Sequence, residues 1–285
     1  MSVWEEIGLV TRHELKRNLK SAKGIVMFAL FLLGGAVPAL IMILVEHAQK
    51  LAQLDKMSPE QQQQVTEKAL YGFYRDHPTA HYLSQSPGAL FFLLQGTLTV
   101  LPLLALIIGF DQIAGEIQHR AIRYLVGRAH RPSIVVGKAL GIWGVVAIMI
   151  LVLHSVVWIM MIAQGEHGVG ETLSWGVRFW AFSVASAGAS VGLASLVSSW
   201  FKAPILSLFT GVGVGFALFV ARAIVAALSI RYEWMDSVKW AFPASYESLM
   251  VKPDALDALS GCAADIVWGG ALVGLAAFIV QKKDV

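Results

Sequence analysis

Six apolar runs, separated by polar segments, set the pattern of this chain. They cover residues 24–45, 88–110, 140–163, 179–201, 204–227 and 262–280. Each run is close to or above the roughly 20 residues that a helix needs to cross the hydrocarbon core of a bilayer. Inside lipid a backbone must satisfy its own polar groups, and a helix does so within one segment. The pattern therefore predicts a single all-α integral membrane domain over residues 1–285, with six transmembrane helices.

The segment before the first run, residues 1–23, predicts an amphipathic helix that lies in the membrane interface. On a helical wheel one half carries the apolar side chains Val3, Trp4, Ile7, Val10, Leu15 and Leu19. The opposite half carries the basic side chains Arg12, Lys16, Arg17 and Lys20. Glu14 is the exception to this division. A solvated basic N-terminus is the alternative interpretation.

The distribution of basic residues predicts the orientation in the membrane. If the N-terminus is cytoplasmic, the inner segments hold 13 Lys and Arg in 62 residues, and the outer segments hold 9 in 95. This excess agrees with the positive-inside rule. We therefore predict that both termini are cytoplasmic and that residues 46–87 form a long outer loop. A loop of that length is expected to contain some helix or to have a function of its own.

The composition supports the membrane assignment and narrows the function. Hydrophobic residues make up 56% of the chain, charged residues only 14%, and the mean hydropathy is +0.65, which excludes an ordinary soluble domain. Cationic inner loops account for the net charge of +3 without a nucleic-acid partner. Cys262 is the only cysteine, so an intrachain disulfide and a multi-cysteine metal site are excluded. We predict no metal site.

The segment Asp111–Lys138 is a polar and basic island between the second and third runs. It holds five of the 22 Lys and Arg residues in 28 positions. Its first half places apolar residues at helical spacing, namely Ile117, Ala121, Ile122, Tyr124 and Leu125. We interpret it as a cytoplasmic helical loop that presents a surface to another protein. A basic loop that serves only to orient the chain is the alternative.

Ionisable and polar residues inside the spans are costly, and they usually mark function or pairing. Arg222 in the fifth span and Asp265 in the sixth lie at matching depth, which predicts an ion pair between these two helices. Gln95, Thr97 and Thr99 in the second span are candidates for lining a transport path.

Two sequence patterns bear on enzymatic activity. No G-x-x-x-x-G-K-[ST] phosphate loop occurs, so the chain is not expected to hydrolyse ATP alone. Gly188, Ser190 and Gly192 match G-x-S-x-G, the pattern of a serine nucleophile. Within an apolar helix, however, Gly188 and Gly192 also form a GxxxG packing face. The only histidine in a span is His154, and we predict no catalytic residue.

The island also resembles a known family. Ile113–Glu116, Leu125-Val126, Arg131-Pro132 and Gly137-Lys138 stand roughly where permease subunits of ABC-2-type exporters have an I-A-G-E motif, a leucine pair, a Pro/Arg break and a closing G-K. Arg120-Ala121-Ile122 replaces the G-T-L turn of that family, and Ala129-His130 occupies the usual proline position. The topology of an interfacial helix, six spans and a long first outer loop is similar as well.

The resemblance implies that residues 111–138 contain a coupling helix seated in a groove of a separate ATPase subunit. Gly115 would permit the entry from the second span, and Glu116 would cap or pin the start of the helix. The apolar anchors in the groove of the ATPase would be Ile117, Ile122 and Leu125. The polar contacts to the ATPase would be Arg120, Arg123 and Arg128. Two ATPase copies would bind the ATP and Mg, whereas this chain would bind no cofactor.

The same resemblance implies a second permease copy or a homologous permease, with the transport path between the two permeases. It implies export across a bacterial cytoplasmic membrane. Three other hypotheses stay open: an ABC-like complex that transmits force to a periplasmic partner through the outer loop, a stand-alone channel or secondary transporter, and an intramembrane serine protease. The sequence does not identify the substrate.

Overall fold

The computed structural model describes residues 2–51, 59–120, 129–165 and 167–283. In chain order its helices are α1 (Val3–Lys20), α2 (Ala22–Leu51), α3 (Pro59–Tyr74), α4 (His77–Ser84), α5 (Gly88–Gly109), α6 (Ala114–Gln118), α7 (Arg131–Gln164), α8 (Val169–Trp200), α9 (Pro204–Leu228), α10 (Met235–Val238), α11 (Glu247–Met250) and α12 (Ala255–Lys282). Two short 3-10 turns, Lys239–Ala241 and Pro243–Ser245, separate α10 from α11.

Six of these helices are long and apolar enough to cross a membrane, and the protein is an all-α integral membrane protein, as predicted. They are α2, α5, α7, α8, α9 and α12. Helix α7 begins at Arg131, nine residues before the apolar run, because Pro132 suits the first helical turn. Helix α8 begins at Val169, ten residues before its run. The segment predicted as an outer loop contains α3 and α4.

Helix α8 is the centre of the bundle. It packs against α5, α7, α9 and α12, and it is the most deeply buried of the six long helices. Phe179 of α8 and Ile150 and Leu153 of α7 are almost completely buried in the main core. Helices α2 and α9 lie at the edges, and few of their residues are buried. In a membrane such exposed faces contact lipid or another protein.

The contact between α8 and α12 depends on glycine. A Cβ atom at Gly192 would lie 2.6 Å from the carbonyl oxygen of Gly269, and a Cβ at Gly269 would lie 2.3 Å from that of Gly188. The two backbones therefore touch, which is how small residues drive helix association in lipid. The structure thus gives Gly188 and Gly192 the packing role. His154 lies on α7 with its Nε2 3.4 Å from Thr97 Oγ1, and no hydrogen bond in the described part of the chain joins it to Ser190.

Helix α1 packs across the start of α7 in the same manner. A Cβ at Gly137 would lie 2.7 Å from the Cβ of Val10, and a Cβ at Gly141 would lie 2.6 Å from the Cβ of Glu14. The helix is amphipathic as predicted, but its docked face is not purely apolar. Glu6, Glu14 and Asn18 are buried, whereas Val3, Trp4 and Leu19 are exposed. Ile7, Val10 and Leu15 are half-buried beside α7.

Arg178 of α8 fastens the short helix α4 to the bundle. Its guanidinium donates hydrogen bonds to the Tyr82 hydroxyl and, over 2.6 Å, to the Lys252 carbonyl, and it lies over the Tyr82 and Phe182 rings. We call this side of the molecule the α4 end and the opposite side the α6 end.

The glycine contact predicts different effects for two neighbouring substitutions on α12. Gly269→Ala should lower the free energy of unfolding by about 1–3 kcal/mol, since its methyl group would overlap the α8 backbone. Gly270→Ala is the control, because a Cβ at Gly270 meets nothing within 4 Å. The gain in helix propensity should leave that variant neutral or more stable by up to about 1 kcal/mol. Equal thermal stability of the two variants in detergent would contradict the packing described.

Candidate functional site

The connection from α5 to α6 is fixed by two serines of α8. The Ser198 hydroxyl accepts hydrogen bonds from the backbone N–H groups of Ile113 (3.0 Å) and Ala114 (3.2 Å) and donates one to the Phe110 carbonyl (2.9 Å). Gln112 is fully buried and donates from its side-chain amide to the Ser195 hydroxyl over 2.8 Å. The start of α6 is therefore capped by another helix, which holds the Ile113–Glu116 motif in place.

Four charged side chains from three separate segments meet beside α6, and we call Glu14, Arg17, Glu116 and Lys138 the charge cluster. Lys138 Nζ lies 2.9 Å from Glu116 Oε1 and 3.1 Å from Glu14 Oε2. Arg17 bonds the same two carboxylates, over 2.8 Å to Glu116 and 2.6 Å to Glu14. The cluster contains two cations and two anions, so its charge is balanced.

Burial makes this balance important. The side chains of Lys138 and Glu14 are only 4% and 2% exposed. The Asn18 amide adds a further hydrogen bond to Glu14 Oε1 over 2.8 Å. Burial would lower the pKa of Arg17, but the Glu14 and Glu116 carboxylates outweigh burial and raise it. A buried ion whose partner is removed costs several kcal/mol, so each member depends on the others.

A second ion pair connects the start of α2 to the end of α5. Lys23 Nζ lies 2.6 Å from Asp111 Oδ1 and donates a 2.9 Å hydrogen bond to the Ile108 carbonyl, and it stands over the Phe110 ring. Between this pair and the charge cluster lies a polar cleft of about 540 Å³. The cleft adjoins α6, and His119 and Pro204 complete its wall.

Three further contacts close the α6 end of the bundle. Glu6 accepts a hydrogen bond from the His130 backbone N–H over 3.1 Å, and this bond is the main cause that lowers the pKa of Glu6. Arg131 donates to three carbonyls at the end of α12, the shortest bond being 2.7 Å to Lys283. Lys283 in turn donates to the Ser199 carbonyl over 2.5 Å. The ends of α1, α7, α8 and α12 are thereby joined around the segment that carries α6.

The predicted coupling residues have different environments. Helix α6 is only five residues long, and Arg120 follows it with φ of 57°, in the left-handed region that interrupts a helix. Among the described residues of this segment, Gln118, His119 and Arg120 are exposed, and we call them the accessible tip. Ile122, Arg123, Leu125 and Arg128 lie outside the described residues.

The structure changes three expectations for α6. Ile117 is half-buried against an internal apolar group that contains Ile113 and Val280, so only part of its side chain is open to a partner. Glu116 does not cap α6, because the cap comes from Ser198, but its ion pairs with Lys138 and Arg17 pin the start of the helix. A Cβ at Gly115 would meet neighbouring atoms no closer than 3.6 Å, an ordinary contact, so the entry into α6 does not require glycine there.

The three candidates for lining a transport path do not share a surface. Thr97 is buried beside His154. Gln95 donates to the Tyr74 hydroxyl over 2.7 Å, and Thr99 is exposed but donates to the Gln95 carbonyl over 2.8 Å of its own helix. A spacing of two residues turns a side chain about 200° around a helix, so Thr97 points away from the other two.

The predicted ion pair between Arg222 and Asp265 is not present in the described structure. Asp265 is completely buried, and neither carboxylate oxygen has a hydrogen-bond partner. Helix α9 packs on α5 and α8, whereas α12 packs on α7 and α8, so similar depth does not make the two residues neighbours. Arg222 interacts electrostatically with Glu247 of α11 instead.

Within the described residues, no group of three or more His, Cys, Asp or Glu side chains is arranged to hold a metal ion. His77 and His81 are four residues apart on α4, but they have other contacts. The ring of His77 stacks on Tyr71, and His81 Nδ1 lies 3.0 Å from Glu67 Oε2.

Comparison with known families matches residues 9–280 to the family described as ABC-2 family transporter protein. The matched range runs from α1 to the end of α12 and includes the charge cluster. A comparison with curated proteins gives no match.

The charge cluster predicts that one lysine has an unusually large effect on stability. Lys138→Met should lower the free energy of unfolding by about 3–5 kcal/mol, because Glu14 and Glu116 lose a buried partner. Lys239→Met is the control, because Lys239 pairs with Asp236 at the surface, where an ion pair contributes less than about 1 kcal/mol. Thermal unfolding in detergent would compare them.

A double variant tests the cause of this loss. Glu14→Gln combined with Lys138→Met removes one buried charge of each sign and should recover much of the stability. The result to compare is the loss of stability that Glu14→Gln causes in the native chain. If Glu14→Gln causes the same loss when it is added to Lys138→Met, charge balance is not what the lysine contributes.

Proposed function

The chain belongs to the ABC-2 family of transporter proteins and is a permease of an ABC transporter, and from this premise we propose how it is driven. A separate ATPase subunit docks on the segment 111–138 and couples ATP hydrolysis to the export of a substrate across the bacterial cytoplasmic membrane. In this arrangement the α6 end and both termini face the cytoplasm.

The charge cluster is the observation that carries this proposal. Its buried ion pairs join α6 to α1 and α7, and the capping serines join α6 to α8. A displacement of α6 therefore cannot occur without moving these helices or breaking buried ion pairs. Such a junction is suited to transmit movement from a docked protein into the membrane bundle.

The accessible tip of the segment provides the docking surface. Arg120 is exposed and has no ion-pair partner among the described residues, so its guanidinium can donate several hydrogen bonds to acidic or carbonyl groups of the ATPase. Ile122, Arg123, Leu125 and Arg128 are expected to extend this surface, with apolar anchors among basic contacts.

The proposed assembly contains two permeases and two ATPase subunits. ATP and Mg bind to the ATPase, because the chain has no phosphate loop. The edge helices α2 and α9 leave apolar faces that a second permease and lipid would cover.

Docking can be tested by exchanging one exposed arginine. We expect Arg120→Asn to reduce the amount of a phosphate-loop ATPase that co-purifies from native membranes in mild detergent. A charged hydrogen bond contributes about 1.5–3 kcal/mol, which corresponds to a loss of roughly tenfold or more in affinity. Quantitative mass spectrometry after affinity capture gives the ratio of ATPase to permease.

Arg75→Asn is a matched control for this experiment. Arg75 is also exposed and also has a positive φ, 53° against 57° for Arg120, but it lies between α3 and α4 at the other end of the bundle. Asparagine tolerates the left-handed region, so both backbones should be preserved. Equal losses in the two variants, or a fully active chain that purifies without an ATPase, would refute the proposal.

A second candidate function is force transmission to a periplasmic partner. It is favoured by Phe73, which is 85% exposed on α3, and by the attachment of the neighbouring α4 to α8 through Arg178. If such a partner binds there, Phe73→Glu should prevent its co-purification while the rate of ATP hydrolysis by the complex stays unchanged. Retention of every periplasmic protein by the variant would count against this function.

A further inference from the structure

A buried carboxyl group without a partner lies within α12. Asp265 has no exposed surface, and both of its carboxylate oxygens lack a hydrogen-bond partner in the structure. An isolated ionised carboxylate is strongly disfavoured in such a place, so the group must bind a proton or a cation. Function or pairing normally explains an ionisable residue inside a span, and no pairing partner is found here.

Two glycine contacts enclose this carboxyl group. One helical turn before Asp265, Gly261 lets the segment that carries α11 approach α12, and a Cβ there would lie 2.9 Å from the Tyr246 carbonyl oxygen. The contact of Gly188 with Gly269 brings α8 against the next turn. Helix α11 therefore covers the site from the α4 end, and α8 closes it from the side.

The titratable and charged groups around the site include more acids than available cations. Glu247 of α11, Ser186 of α8 and Cys262 of α12 face Asp265. Arg222 of α9 and Tyr74 of α3 interact electrostatically with Glu247, and Arg178 of α8 interacts electrostatically with Cys262. No ion pair joins Arg222 or Arg178 to Asp265, and Arg178 is already bound to Tyr82 and Lys252.

The environment of Glu247 is consistent with proton uptake near neutral pH. Burial raises the pKa of its carboxyl group to about 7, although the Arg222 guanidinium opposes this. Between about pH 4.5 and 7 the folded protein thus retains a proton on Glu247 that the unfolded chain has lost. The associated stability is present at low pH and is lost as the pH rises from about 4.5 through about 7.

We propose that Asp265 and Glu247 form a proton-binding site that links α11 to α12. A proton from the α4 side adds to a carboxylate oxygen and leaves the pair with one negative charge instead of two, which allows α11 to pack on α12 at Gly261. When the proton leaves, two carboxylates of like charge remain close together and the contact loosens. A metal ion is a weaker ligand for the site, because no group of three or more acidic, histidine or cysteine side chains in the described residues is arranged to hold one.

Infrared spectroscopy of the full-length chain in lipid nanodiscs would detect the proton directly. A pH-difference spectrum should show the C=O stretch of a protonated carboxyl group that disappears as the pH rises through the neutral range. Asp265→Asn should remove this band or its neutral titration, and Glu247→Gln should change its midpoint. Asp257→Asn is the control, because Asp257 lies on the same helix but its side chain is 42% exposed and paired with Lys252.

Thermal stability provides a second readout. The fall in the unfolding temperature of the native chain between about pH 5 and 8 should be reduced in Glu247→Gln and unchanged in Asp257→Asn. An infrared band that is the same in Asp265→Asn and the native chain would overturn the proposal. So would a band that vanishes at constant pH on addition of sodium or calcium chloride, because a metal ion would then be the ligand.

Discussion

The buried ion pairs of Lys138 constrain the rest of this structure. A lysine that is 4% exposed has lost most of its hydration, and that cost is offset only when several acceptors surround it. Its acceptors come from residue 14 and residue 116, so the pairing requires three distant segments to meet at one point. Once they meet, the crossing of α1 over α7 and the position of α6 are both determined. The glycine surface of α7 is necessary as well, because a side chain at Gly141 would prevent Glu14 from reaching the lysine.

Close approach of helix backbones at glycine also fixes how helices pack elsewhere in the bundle. Lipid chains are as apolar as leucine, so apolar area alone gives little reason for one membrane helix to prefer another. Gly192 and Gly269 let α8 and α12 touch along their backbones, and Gly261 does this for α11 and α12. The contact at Gly141 brings Glu14 into the interior, and the contacts at Gly261 and Gly269 enclose Asp265. Glycine packing and buried ionisable groups therefore occur together, because the first makes room for the second.

The sequence predicted the six membrane helices but not the contacts between them. Hydropathy runs identify membrane helices because lipid imposes the same requirement on every span, so six were found. Contacts between spans carry no such signal. Arg222 and Asp265 have matching depth but lie on helices that α8 keeps apart, and Thr97 points away from Gln95. The one available clue was Glu14, an acid on the apolar half of its helix, and it marked the charge cluster. Ile117 looked like an external anchor because periodicity does not distinguish a face that meets a partner from one that meets its own core.

The two sites with buried carboxyl groups differ in a way that bears on movement. At the α6 end, Glu14 and Glu116 each have two cationic partners, so their charge is fixed and the helices around them are held together. At the other end of α12, Asp265 has no partner, and its neighbour Glu247 receives only the distant influence of Arg222. Helix α8 contacts both α6 and α12, so the segment that the charge cluster holds and the helix that carries Asp265 share one packing partner.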